Sequence, residues 1–124
     1  MTLAKMPKRN LHPEVYQYKN QLKTYLATTR FNNKTWKENQ DFLKRSIDNK
    51  EISQKIQCIY PCSTAISSDN IPFKSNIFIL EMNNEINKIM GIGLIKNTTP
   101  EYNKYKIYEK EEFNAFTYIG GYHI

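Results

Sequence analysis

Glycine, cysteine and histidine are all scarce in this chain, and each scarcity excludes a class of chemistry. With only two cysteines, Cys58 and Cys62, there is no disulfide framework. Three residues separate them, which is not the spacing of a redox pair, and a metal site would need ligands from beyond this one pair. The histidines, His12 and His123, lie far from the cysteines near the two ends of the sequence. The four glycines form no phosphate-cradling loop, and no nucleophile elbow or paired His-Glu metal motif is present. No apolar run reaches the length of a membrane span, and the opening Met1–Arg9 lacks the apolar core of a secretory signal. These absences predict a soluble, intracellular, non-enzymatic protein with no catalytic residues, cofactor, metal or membrane partner, and with Cys58 and Cys62 as buried free thiols.

What is present suits one domain. A chain of 124 residues buries roughly two-thirds of its unfolded surface on folding. Asparagine, lysine and isoleucine are heavily used at the expense of alanine, glycine and valine, a bias that follows AT-rich codons. The net charge of +6 is uneven. Up to Lys55 there are twelve Lys/Arg against five Asp/Glu, and beyond it six against seven. Such asymmetry points to a polyanionic partner, with a solvated helical face as the alternative.

Val15, Tyr18, Leu22, Tyr25 and Leu26 follow Pro13 at helical spacing and predict a first helix. Thr35, with Glu38 three residues on, predicts the N-cap of a second, whose buried side carries Trp36, Leu43 and Ile47 and which ends at Asp48-Asn49. Residues 1–54 thus read as a basic helical hairpin with Lys19, Lys23, Lys37, Lys44 and Arg45 outward. Residues 55–124 read as strands at 56–60, 76–82, 87–96, 104–108 and 113–119. Short strands at this spacing suggest a small antiparallel barrel or a strongly coiled sheet, and the barrel gives an α+β fold in one compact domain. Tyr122–Ile124 would begin one more strand, with its partner missing or supplied by another molecule.

The hairpin Ile77–Asn97 carries the sharpest local signal. Gly91 and Gly93 share a strand face, leaving a strip of bare backbone that marks either a tight bend or the close approach of a ligand. Met90, Ile92 and Leu94 on the other face read as core. Glu81 interrupts its apolar strand and should be exposed at an edge or paired, with Lys88 as a candidate across the hairpin. Tyr102, Tyr105, Tyr108, Phe113, Phe116, Tyr118 and Tyr122 crowd into twenty-one residues. Aromatic faces that stack bases, beside cations that meet phosphates, are how single-stranded nucleic acid is held. By parity Lys104, Lys106 and Tyr108 share an exposed face. The competing account is that the tyrosines fill a core and reach water with their hydroxyls.

Ile77–Asn84 and Asn87–Asn97, with Lys104–Glu109 and the closing Phe113–Ile124, resemble a protein group of large nucleocytoplasmic DNA viruses whose motif names no activity. The strand pattern is also similar to PUA-like barrels, including EVE and YTH-type domains, which bind RNA or modified bases. The resemblance covers about the second half of the chain and implies a viral protein in the host cytoplasm, at a viral factory, or in the virion, and not secreted. The aromatic, lysine and glycine pattern itself points to a nucleic-acid site, for RNA, DNA or a modified base, at Gly91, Gly93, Lys104, Lys106, Tyr108, Phe116 and Tyr118, with Lys44 and Arg45 adding phosphate contacts. The alternative is a virion or assembly component that docks on viral proteins.

Overall fold

The computed structural model describes residues 3–5, 24–67 and 69–124. In chain order the described elements are β1 (Leu3–Lys5), β2 (Thr24–Phe31), α1 (Asn33–Asp48), β3 (Cys58–Cys62), β4 (Asn76–Asn83) and β5 (Lys88–Lys96), followed by β6 (Glu101–Tyr102), a 3-10 turn (Glu111–Asn114), β7 (Phe116–Gly120) and β8 (Tyr122–His123). They form an open five-stranded sheet in the order β1-β2-β4-β5-β8 and a three-stranded sheet in the order β3-β7-β6. The described residues form no closed barrel.

The helical hairpin expected over residues 1–54 is not seen. Residues 24–31 form a strand, β2, that pairs with β4 in parallel from Thr24↔Asn76 to Phe31↔Asn83. Thr24-Tyr25-Leu26-Ala27-Thr28-Thr29 is rich in the β-branched and aromatic residues that suit a pleated surface. Its alternation buries Ala27, Thr29 and Phe31, so period two prevails over the helical spacing to which Tyr25 and Leu26 also conform. The rest of the expected first helix, before Thr24, lies outside the described residues. A parallel pair needs a long crossover, and here that crossover carries α1 and β3.

α1 forms where expected, but its start is moved and its buried residues are Asn39, Phe42 and Ser46, with Trp36, Leu43 and Ile47 half-buried. Asn32 is the N-cap; its side chain accepts from the Thr35 amide at 2.8 Å, while Thr35 Oγ1 accepts from the Asn32 amide at 3.0 Å. Thr35 therefore closes the capping box from inside the first turn. Phe42 is buried and Trp36 packs edge-on against Phe31 at 5.2 Å. Lys37 pairs with Asp41 on the solvent side at 2.6 Å.

The hairpin β4–β5 matches its sequence pattern, but the faces are reversed. Ile77, Ile79, Glu81, Asn83, Gly93 and Ile95 point into the core, while Met90, Ile92 and Leu94 are only half-buried. A β-bulge between Glu81 and Met82 pairs Glu81 with Gly91 and Met82 with Ile89. The extra residue moves Ile89 to the outer face, where it is 60% exposed. β3 lies against the inner face with every residue buried, including Pro61, whose missing N–H is tolerable on an edge strand.

The strand expected at 104–108 does not form. Asn103 adopts a left-handed conformation (φ 48°), and the chain beyond it is held by a side chain instead of a neighbouring strand. Asn114 Oδ1 accepts from the amides of Ile107 at 3.1 Å and Tyr108 at 2.9 Å, and its Nδ2 donates to the Tyr108 carbonyl at 2.7 Å. The strand expected at 113–119 is correspondingly shortened to β7 by the 3-10 turn. Tyr122–His123 does form a strand, and its partner is β5 of the same chain. Replacing Asn114 by Ala removes three buried hydrogen bonds at once. Urea denaturation should show a loss of about 2 kcal/mol or more, where an exposed asparagine such as Asn84 should cost little.

Candidate functional site

The glycine strip is not an open groove. The side chains of Tyr60, Glu81 and His123 fill it. A Cβ added at Gly93 would lie 2.0 Å from Tyr60 Oη and 2.9 Å from Cys58 Sγ. One added at Gly91 would lie 2.8 Å from Glu81 Oε1 and from the His123 ring. None of the chain's glycines has a positive φ, so this pair is required for volume and not for backbone conformation.

Within the trough, Tyr60 Oη donates to Glu81 Oε2 at 2.6 Å and His123 Nε2 lies 2.7 Å from Glu81 Oε1. A carboxylate can only accept, so the imidazole contact is a donated Nε2–H. Glu81 is 2% exposed and sits directly across from Gly91; Lys88, its suggested partner, pairs instead with Asn83. Burial above all, then the neighbouring Cys58 and Glu81, pushes the Tyr60 phenol far above its ordinary range, which keeps it a donor. Burial likewise pushes the Cys58 thiol up to about 11 and the Cys62 thiol up to about 12. Both are free, buried and protonated at neutral pH, so neither is an activated nucleophile. Among the described residues, no group of three or more His, Cys, Asp or Glu could hold a metal ion.

The remaining expected site residues divide clearly. Tyr108 is buried, with its hydroxyl accepting from Asn39 Nδ2 at 3.2 Å. Tyr118 is buried too, and its hydroxyl accepts from the Ile66 amide at 2.8 Å. Both tyrosines are packing residues that satisfy backbone or asparagine partners. Lys44 and Arg45 lie on the exposed side of α1, in a shallow groove whose Asp41 and Asp48 offset their charge. Arg45 also lies over the Phe42 ring at 5.6 Å.

Lys104 and Lys106 do come together, in an open cleft of about 300 Å³ shared with Asn103, Tyr105, Glu111 and Asn114. Lys104 makes a loose ion pair with Glu101 at 3.8 Å and lies over the Tyr105 ring at 5.3 Å. Beside this cleft Phe116 is half-buried under Tyr102, with ring centroids 5.2 Å apart. Tyr102 is 66% exposed and pairs with Phe116 across β6 and β7. Tyr102 belongs to the aromatic run but lies outside the expected strand 104–108 to which the parity argument applies; the strand that forms, β6, is Glu101–Tyr102. His123 was set aside for its place near the chain end; the cue for it was a lone Glu opposite a bare strip, a vacancy that needs side chains to fill it.

Comparison with protein-family models, curated proteins and solved structures gives no match. No helix among the described residues is long and apolar enough to cross a membrane.

Two outcomes follow from the trough. Gly93→Ala should cost about 1–3 kcal/mol in chemical denaturation, the range for overpacking a core. Gly91→Ala should cost less, because the nearest atoms to its Cβ lie at 2.8 Å, against 2.0 Å at Gly93. The second outcome concerns alkaline pH. Both thiols are harder to ionise in the fold than at their ordinary value of 9.0. Their contribution to stability is therefore intact below pH 9 and lost as pH climbs through about 11 and about 12. Denaturation measured from pH 8 upward should show falling stability, with a shallower fall in Cys58→Ala.

Proposed function

We propose that this protein binds single-stranded nucleic acid, RNA or DNA, through a patch made of Tyr102, Phe116, Lys104 and Lys106. The observation that carries this reading is the exposed Tyr102 ring, backed by Phe116 at 5.2 Å and set beside a cleft lined by two lysines. A ring held by a neighbouring ring, here tilted at 51°, and 66% exposed can take a base at little further ordering cost. Every base has a π-face, so such a platform accepts many sequences.

Phosphate contacts come from the cleft lysines. The Lys104–Glu101 pair joins side chains that are 55% and 48% exposed, and exposed pairs of that kind hold their cations weakly. A phosphate can therefore compete for Lys104. The net charge of +6 adds long-range attraction for a polyanion. The expected contacts at Gly91, Gly93, Tyr108 and Tyr118 are no part of the proposal, since those positions are filled or buried. The viral setting rests on the resemblance of the second half of the chain.

Fluorescence anisotropy with labelled single-stranded RNA and DNA at several salt concentrations tests this directly. Affinity should fall as salt rises, with a log–log slope of about 0.7 per phosphate contact. Tyr102→Ala should weaken binding by about 1–3 kcal/mol. Lys104→Ala and Lys106→Ala should each reduce the slope. No binding at low salt, or binding unchanged in Tyr102→Ala, would overturn the reading. Salt-indifferent association with proteins in its place would favour an assembly role.

A further inference from the structure

β8 is held on the sheet by few interactions. Its ladder to β5 consists of Gly93↔His123 and Leu94↔Tyr122, extended by reciprocal backbone bonds between Ile92 and Ile124 at 2.9 and 3.3 Å. Tyr122 is 49% and Ile124 70% exposed, so these side chains bury little apolar surface. The one side chain that β8 sends inward is His123, and its ring is anchored on Glu81 at 2.7 Å. Just before β8 the chain turns from one sheet to the other at Gly120-Gly121. A Cβ at Gly120 would lie 2.0 Å from the Leu94 carbonyl oxygen, so only glycine permits so close a crossing.

A buried thiol lies under this strand. Cys58 Sγ sits 3.5 Å from the Tyr122 carbonyl oxygen and 4.0 Å from that of Leu94. Tyr60, two residues along the same face of β3, meets Glu81 beside it. Cys62 is buried at the other end of β3, paired in register with Phe116, and its Sγ contacts the Tyr60 carbonyl at 3.7 Å. It therefore lies away from β8.

We propose that β8 is a strap clasped by the His123–Glu81 hydrogen bond, and that its release uncovers the Cys58 thiol and the Tyr60–Glu81 pair while the two sheets stay folded. Local openings of this kind lie well below the free energy of global unfolding when few buried contacts hold the segment. The opened state presents a thiol, a phenol and a carboxylate together along a bared edge of β5. In the closed state the same thiol is covered by two backbone carbonyls.

The two cysteines provide an internal comparison. Pulse labelling of the full chain with a thiol-specific alkylating reagent, read at each cysteine by mass spectrometry, should modify Cys58 at least about tenfold faster than Cys62. His123→Ala should raise the Cys58 rate by about a further tenfold, the factor carried by a hydrogen bond to a charged group, and leave Cys62 unchanged. If that variant does not fold, amide hydrogen exchange on the unaltered protein decides. Ile92 and Ile124 should then exchange faster than Ile79 in the sheet interior. Labelling of both cysteines at one common rate, or exchange of all three amides together, would overturn the proposal.

Discussion

The buried carboxylate of Glu81 is the constraint around which the two sheets are arranged. An ionisable group at 2% exposure is costly unless donors meet it. Tyr60 brings one donor from the three-stranded sheet, and His123 brings the other from β8. Those donors need room that ordinary strand residues would deny them. Gly91 and Gly93 provide it on β5, and the bulge beside Glu81 keeps Gly91 opposite the carboxylate. Two hydrogen bonds on one side chain thus tie β4 to β3 and to β8, over the room that β5 leaves. A hydrophobic residue at position 81 would require a different packing of all four strands.

A second set of polar side chains organises the irregular segments. Asn39 donates to the Ile59 carbonyl at 2.8 Å, and Asn97 donates to the Ile71 carbonyl at 2.6 Å. Asn83 donates to Asn33 at 3.0 Å, while Asn114 braces the segment that carries Lys104 and Lys106. All four are buried. At these positions asparagine performs work that a regular ladder performs elsewhere. Buried backbone groups must be satisfied, and an amide side chain can do so without a neighbouring strand. The Lys104–Lys106 cleft therefore rests on a fixed segment despite lacking secondary structure.

Much of the second half was legible in the sequence, and the reasons for the exceptions are physical. The β4–β5 hairpin announced itself through two apolar runs and a polar turn, and α1 through its apolar spacing. Both signals are local. β2 was misread because Tyr25 and Leu26 fit a helical stripe, and only pairing with β4, some fifty residues away, selects the strand. The core face of β5 was misassigned because glycine looks like absence of packing in a sequence. In the structure it marks close packing, filled from Tyr60 and His123. Lys104 and Lys106 were identified as neighbours, but through a strand that Asn103 and Asn114 prevent. Tyr108 and Tyr118 illustrate the ambiguity of tyrosine: both lie inside, with hydroxyls satisfied by Asn39 and by the Ile66 amide.

A double-mutant cycle on Gly93 and Tyr60 measures the central relation most directly. If Gly93 is glycine because the Tyr60 hydroxyl occupies its Cβ position, removing that hydroxyl should relieve the clash. Gly93→Ala should then cost at least about 1 kcal/mol less in a Tyr60→Phe background than in the unaltered protein, within the range of coupling between touching residues. An identical cost in both backgrounds would mean that the trough exists for some other reason, and the account given for the core would fail.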